Sequence, residues 1–313
     1  MCAGVVGPQP IEESQMSPTF HLFLPQMRMS HETIVERALV AESAGFEGMA
    51  FMDHLAPPLA YEHEMWEAMS IASWVLARTT VLQVGHLVLC DAFRHPAMLA
   101  RQAVSLDHAS GGRFEVGIGW GSVPAELSTF GVGSTEPRER VGRLAESLEI
   151  MRGLWTGEAF DYHGEHFTLR GALQRPVPTR RIPVTVGGVG ERTLALVRAH
   201  ADWWNVPIHA LDRIGELRDR AGGARVSMQS MIALVSSERE REEATALVRR
   251  RYGGARFLEN IVVGTAPELT EHFIRLRAEG VERFYTWFTD FARVETLHRF
   301  AEVIEDVAAA GEK

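Results

Sequence analysis

The sequence predicts an α/β fold, a (β/α)₈ TIM barrel, on three observations. Eight short apolar runs recur along the 313 residues, and most are continuously apolar rather than alternating, as strands buried on both faces must be. Segments of helical period separate them, which makes the strands parallel and covers the sheet with helices. Eight repeats of that unit favour a closed barrel over an open sheet. Length alone suggests two domains, but such a barrel commonly fills ~250 residues or more as one.

Residues 1–17 show no period and read as a flexible tail, leaving 18–313 as a single barrel domain. "TFHLFLP" (19–25) is the first strand. Ser30 caps the helix after it, Ile34, Val35, Ala38 and Leu39 give that helix an apolar face, and Gly45 stops it. The second strand is 47–54, followed by a helix over 62–78. The third is "VLQVGHLVLC" (81–90), with Pro96 opening the next helix, where its missing N–H costs nothing. The fourth is 113–121, and the helix 138–155 carries Val141, Leu144, Leu148, Met151 and Trp155 in one stripe. The rhythm then breaks: 158–181 alternates around His163-Gly164 like a hairpin and reads as an insertion after the fourth helix. Strands follow at 182–188, 201–208, 226–236 and 281–290. A second insertion lies between the seventh and eighth strands, and the last helix covers 293–310.

Composition removes several function classes. A formal net charge of −9 disfavours nucleic acid and anionic membranes, which need a basic surface. No signal segment and no apolar run of ~18 residues occurs, so a cytoplasmic protein is expected. With only Cys2 and Cys90, neither a disulfide framework nor a thiolate zinc site can be built. The only lysine is the last residue, Lys313, which rules out a Schiff-base lysine in the core and the phosphate-loop motif.

In such barrels the chemistry sits at the carboxyl ends of the strands. After the fifth strand, Gly187, Gly188, Val189 and Gly190 lead into a helix with Arg192 in its first turn. Glycines let the backbone approach a ligand, and a helix start presents free N–H groups suited to phosphate. A tight turn needing positive φ accounts for the same residues, and no third glycine completes the dinucleotide fingerprint. Asp53-His54 ends the second strand. A histidine there can transfer protons near neutral pH and the aspartate can orient a ring or hydroxyl, whereas a capping Asp beside a surface His is the plainer alternative. Trp120, between glycines in "GIGWG", suits an aromatic wall or ordinary core packing. His86, His95 and Asp202 offer metal ligands, but the first strand has only His21 where metallohydrolase barrels have a paired H-x-H; no metal is expected.

Taken together, the segments resemble the bacterial luciferase-like flavin and deazaflavin (F420) oxidoreductases. The resemblance rests on "AESAGFEGMAFMDH", "FRHPAMLARQAVSLDHASGGRFEVGIGWG", "RERVGRLAESLEIMRGLWTGEAFDYHGEHFTL", "PVTVGGVGERTLALVRAHADWWN" and "VVGTAPELTEHFIRLRAEGVERFYTWF", in this order. It implies a tricyclic ring at the barrel mouth. The ring's back face would rest on a bulge in the third strand, with a non-prolyl cis peptide mapping to Leu87-Val88. It also implies that "GGVG" holds the cofactor phosphate, with His54 and Asp53 at the ring's reactive edge and Cys90 and Trp120 against the ring. Leu55, Trp66, Ser122, Trp204 and Trp287 would line the substrate pocket.

Departures from the family pattern narrow the reading. Its sugar-phosphate dehydrogenases carry a proton-donating glutamate just after the fourth-strand glycines; here Ser122 stands there and Glu126 is four residues later. Their phosphate-binding lysines have no counterpart, so a sugar phosphate is not expected. Gly119 replaces the luciferase cysteine, so light emission is not expected either. The resemblance therefore implies hydride transfer between coenzyme F420 and a small, largely apolar organic substrate. The alternatives are an FMNH2-dependent two-component monooxygenase with a partner reductase, and a non-catalytic flavin-binding protein. A homodimer is also implied.

Overall fold

A computed structural model describes residues 18–58, 60–253 and 258–311; the expected tail, 1–17, lies outside them. The strands are β1 (Thr19–Phe23), β2 (Gly48–Phe51), β3 (Gln83–His86), β4 (Leu89–Cys90), β5 (Val116–Gly119), β6 (Phe160–His163), β7 (Thr168–Ala172), β8 (Val184–Gly187), β9 (Trp203–Val206), β10 (Arg225–Leu234), β11 (Val262–Gly264) and β12 (Arg283–Phe288). All pairings in the main sheet are parallel, in the order β3-β2-β1-β12-β10-β9-β8-β5-β4. β3 and β4 are two halves of the predicted third strand, so the path returns to its own start and the barrel closes. A further parallel bridge, Val84 to Phe114, ties β3 to the chain entering β5. Between the halves the Leu87–Val88 peptide is cis, at the position the resemblance implies.

The helices cover the outside as the periodicity predicts. The Ser30 side chain accepts from the Thr33 N–H at the start of helix His31–Ser43, and Gly45 turns the chain at φ +89°, where a Cβ would be strained. Phe20, Phe273, Phe284 and Phe300 pack with ring centroids 4.8–5.9 Å apart, tying β1 and β12 to two helices. Burying each such ring contributes about 1.5–3 kcal/mol. Polar residues plug the bottom of the barrel. Arg283 donates to both Glu115 oxygens, at 2.7 and 3.3 Å, and lies 3.9 Å over the Trp203 ring. Beside it burial, and then the Arg283 charge, hold the His21 imidazole well below its ordinary pKa, so it is neutral.

Both insertions are present. β6 and β7 form the antiparallel hairpin around His163-Gly164. Between β10 and β12 the chain forms helix Glu238–Tyr252, then β11, then helix Ala266–Ala278. β11 was not expected as a strand: Val262 pairs with Ile232, extending β10 beyond the barrel wall. A second difference bears on the site. After β5 the chain forms a short helix, Pro124–Phe130, that the periodicity did not mark; a proline opens it and Gly131, in the left-handed region, closes it. Among the described residues no helix is long and apolar enough to cross a membrane.

Candidate active site

A cavity of about 730 Å³ opens at the carboxyl ends of the strands. The break in the third strand forms one side, and four consecutive residues, Leu87 to Cys90, face the cavity. A regular strand would present only every second side chain. Gly119 at the end of β5, with Trp120, Gly121 and Ser122 after it, forms the next wall, followed by Gly187 at the end of β8 and Gly188 beyond it. Asn205, Pro207, His209 and Gln229 face them from β9, the turn after it and β10. Asp53 and His54 complete the ring after β2.

The two polar residues after β2 are held in different ways. Asp53 is buried and accepts from the Cys90 N–H at 2.8 Å and from Arg94 at 2.5 and 3.0 Å, so it links β2 to β4. His54 reaches the opposite way. Its Nδ1 lies 2.9 Å from Glu126 Oε2, and Glu126 Oε1 accepts from the backbone N–H of Leu55 at 2.6 Å and of Ala56 at 3.2 Å. Glu126 is buried in helix Pro124–Phe130. The Cys90 thiol is pushed up to about 12, mainly by burial and further by the Asp53, Asp91 and Glu126 charges; it is a neutral contact, not a nucleophile.

The glycine loop has the features of an anion cradle. Gly188 sits at φ +129°, a conformation an L side chain rarely adopts, and a Cβ there would press on Thr193 at 3.0 Å. Gly190 is the N-cap of helix Glu191–His200 and supplies no side-chain cap, so the first-turn N–H groups stay available. Arg192 is exposed on that turn, and Val189 packs against the core instead of the cavity.

Three predicted pocket residues belong elsewhere. Trp204 is fully buried on the outer face of β9, and its indole N–H donates to the Gly188 carbonyl at 2.8 Å, so it braces the loop from behind. Trp66 donates to the Met29 carbonyl at 2.7 Å and stacks on His31 at 4.0 Å. Trp287 lies outside the cavity lining, packed in an apolar cluster 5.3 Å from Phe23 and 6.1 Å from Tyr252. Leu55 is partly exposed at the rim, where its N–H binds Glu126. Asp53, His54, Leu87, Val88, Cys90, Trp120, Ser122, Gly187 and Gly188 all come together on the cavity. Sequence reasoning missed Arg94 and Gln229, and it noticed Glu126 without pairing it with His54. Only the Glu126 side chain's place after "GIGWG" could have signalled that role.

A closed parallel barrel with a split third strand, two insertions and a cavity at the carboxyl ends of its strands is the architecture of a TIM-barrel protein. The chain belongs to the luciferase-like monooxygenase family, whose pattern it matches over residues 11–308. It is 36% identical over 162 residues to the F420-dependent glucose-6-phosphate dehydrogenase of Mycolicibacterium fortuitum, covering 50% of this chain and 47% of that protein. It is 37% identical, with the same coverage, to F420-dependent glucose-6-phosphate dehydrogenase 2 of Rhodococcus jostii (strain RHA1). The matched stretch thus spans about half the length of these curated relatives. Among solved structures, an F420-dependent secondary alcohol dehydrogenase in complex with an F420-acetone adduct superposes with TM-score 0.79 at 19% identity, over 93% of this chain and 99% of that one. A long-chain alkane monooxygenase does so with TM-score 0.78 at 16% identity, over 95% and 92%. Likeness at that level of identity shows the shared fold.

Proposed function

We propose that this chain is an F420-dependent oxidoreductase moving a hydride between the deazaflavin and a small, neutral, largely apolar substrate. The observation that carries the reading is His54 on the wall of the cavity whose side is the Leu87–Val88 break. The residues fit a ring cofactor. The apolar edge of 87–88 would support a flat ring, bare glycines at 119, 121, 187 and 188 leave room for it, and the uncapped helix start at Gly190 suits its phosphate. When bound, F420 supplies a ring carbon that takes or gives a hydride. The protein's part is to hold and orient the partners, to exclude water and to exchange a proton at His54. The F420-dependent relatives support this cofactor over FMN.

The cavity lining also bears on the substrate. Among the described residues it holds two carboxylates, Asp53 and Glu126, and no lysine or arginine. A phosphorylated sugar would meet no cation there, so glucose 6-phosphate itself is a poor candidate. Asn205, Gln229 and His209 offer neutral hydrogen bonds to a hydroxyl or carbonyl group.

An anaerobic titration of the purified chain with F420 and FMN, each oxidised and reduced, tests the reading. Tight binding of F420 with weak FMN binding is expected. Preferential binding of reduced FMN would replace it with an oxygenase that needs a partner reductase, and binding of neither would end it. The homodimer is part of the same proposal, and sedimentation at micromolar concentration checks it.

A further inference from the structure

We propose that Glu126 is a positioning residue that fixes His54 as the Nδ1–H tautomer and leaves Nε2 as the ring's proton-accepting atom. The inference rests on the reading above for its chemistry, but its geometry stands without a cofactor. A neutral imidazole has one N–H and one acceptor nitrogen, and the partner of one nitrogen sets the state of the other. Glu126 Oε1 accepts two backbone N–H groups, Leu55 and Ala56, which can only donate. Oε2 faces Nδ1 at 2.9 Å. A carboxylate held in this way accepts a hydrogen bond from Nδ1–H, so Nε2 carries the lone pair. No hydrogen bond to Nε2 occurs among the described residues, and His54 lines the cavity.

The same carboxylate clamps the turn 54–56 to helix Pro124–Phe130, so the tautomer and the rim of the cavity are set together. In the direction of substrate oxidation the substrate O–H breaks and its proton passes to Nε2. Were the oxidised deazaflavin bound, it would take a hydride from the carbon that bears this oxygen, and the C–O bond would become C=O. Glu126 then faces an imidazolium and stabilises it. In the reverse direction the imidazolium returns the proton.

Glu126→Gln is the discriminating variant. The glutamine oxygen still accepts from Leu55 and Ala56, but its NH2 faces Nδ1, which must become the acceptor; the proton moves to Nε2. We expect ¹⁵N spectra of the uniformly labelled chain, with His54 assigned by comparison with His54→Gln, to show Nδ1–H in the wild type and Nε2–H in Glu126→Gln. Turnover should fall about 10²–10⁴-fold, while F420 affinity and KM change less than about threefold. Wild-type His54 with its proton on Nε2, or a variant that keeps full turnover, would overturn the proposal. Should Glu126→Gln fail to fold, the wild-type spectrum alone decides. Failure of F420 to bind would instead strike the functional reading and leave the tautomer result standing.

Discussion

Arg94 joins two carboxylates at the base of the site. It donates to Asp53 Oδ2 at 2.5 Å and Oδ1 at 3.0 Å, and to Glu67 Oε1 at 2.5 Å. Asp53 is buried and shares its Oδ2 with the Cys90 N–H, so the arginine sets where the two halves of the third strand meet the end of β2. Replacing Arg94 with methionine strands a buried charge. A loss of about 3–5 kcal/mol is expected in urea denaturation, and adding Asp53→Asn should restore part of it. A double variant no more stable than Arg94→Met would mean that the pair is not coupled.

The brace behind the glycine loop gives a second test. Trp204→Phe removes the donor to the Gly188 carbonyl while keeping most of the buried ring. Stability should drop by about 1–3 kcal/mol, since the carbonyl loses its partner, and cofactor affinity should fall several-fold. Unchanged affinity in an anaerobic titration would show that the loop keeps its shape unaided.

Glu67 links this network to pH. It caps helix Ala68–Leu76 through the Met69 and Ser70 N–H groups. Burial alone would raise its carboxyl, but bonds from Ser70, Met69 and Arg94 outweigh that and bring it down to about 2. A depressed acid stabilises the fold above its unfolded pKa near 4.5 and loses that contribution as pH falls towards 2. Glu67 is half-exposed, so we expect Glu67→Ala to cost only about 1 kcal/mol at pH 7, the usual worth of an N-cap. The gap should narrow between pH 5 and pH 2; a gap that stays constant in denaturation curves would contradict the assignment.

Cys90 predicts chemical inertness. With its thiol pushed up to about 12, little thiolate exists at pH 8, and alkylation by iodoacetamide should run roughly a thousand-fold slower than for a free thiol. A Cys2→Ser background isolates the signal. Labelling at the free-thiol rate would place Cys90 in a far more open setting.

Periodicity revealed the barrel because each strand is short, apolar and followed by a helix with its own stripe. It failed at β11: Val262 and Val263 are β-branched, but the strand is only 3 residues long and its partner, Ile232 and the residues after it on β10, is remote in sequence. The site was legible where ligand-facing backbone leaves a local mark, as at Gly187-Gly188 and Asp53-His54. It was not legible where partners are far apart in sequence: Glu126 meets His54 across 72 residues. "WWN" shows a third limit. Trp203 faces Arg283 inside the barrel while Trp204 faces out, and two adjacent tryptophans give no clue to which takes which side.

The detour at Leu87–Val88 also leaves a negative imprint one strand away. A Cβ on Gly117 would lie 1.8 Å from the His86 carbonyl oxygen, and one on Gly119 would lie 2.8 Å from a Val88 methyl. Neither glycine has a positive φ, so it is crowding and not backbone freedom that keeps them bare. "GIG" in β5 is thus the mould into which the neighbouring strand's irregularity is pressed. The two segments can change only as a matched pair, and the shape of this wall of the cavity is written in both.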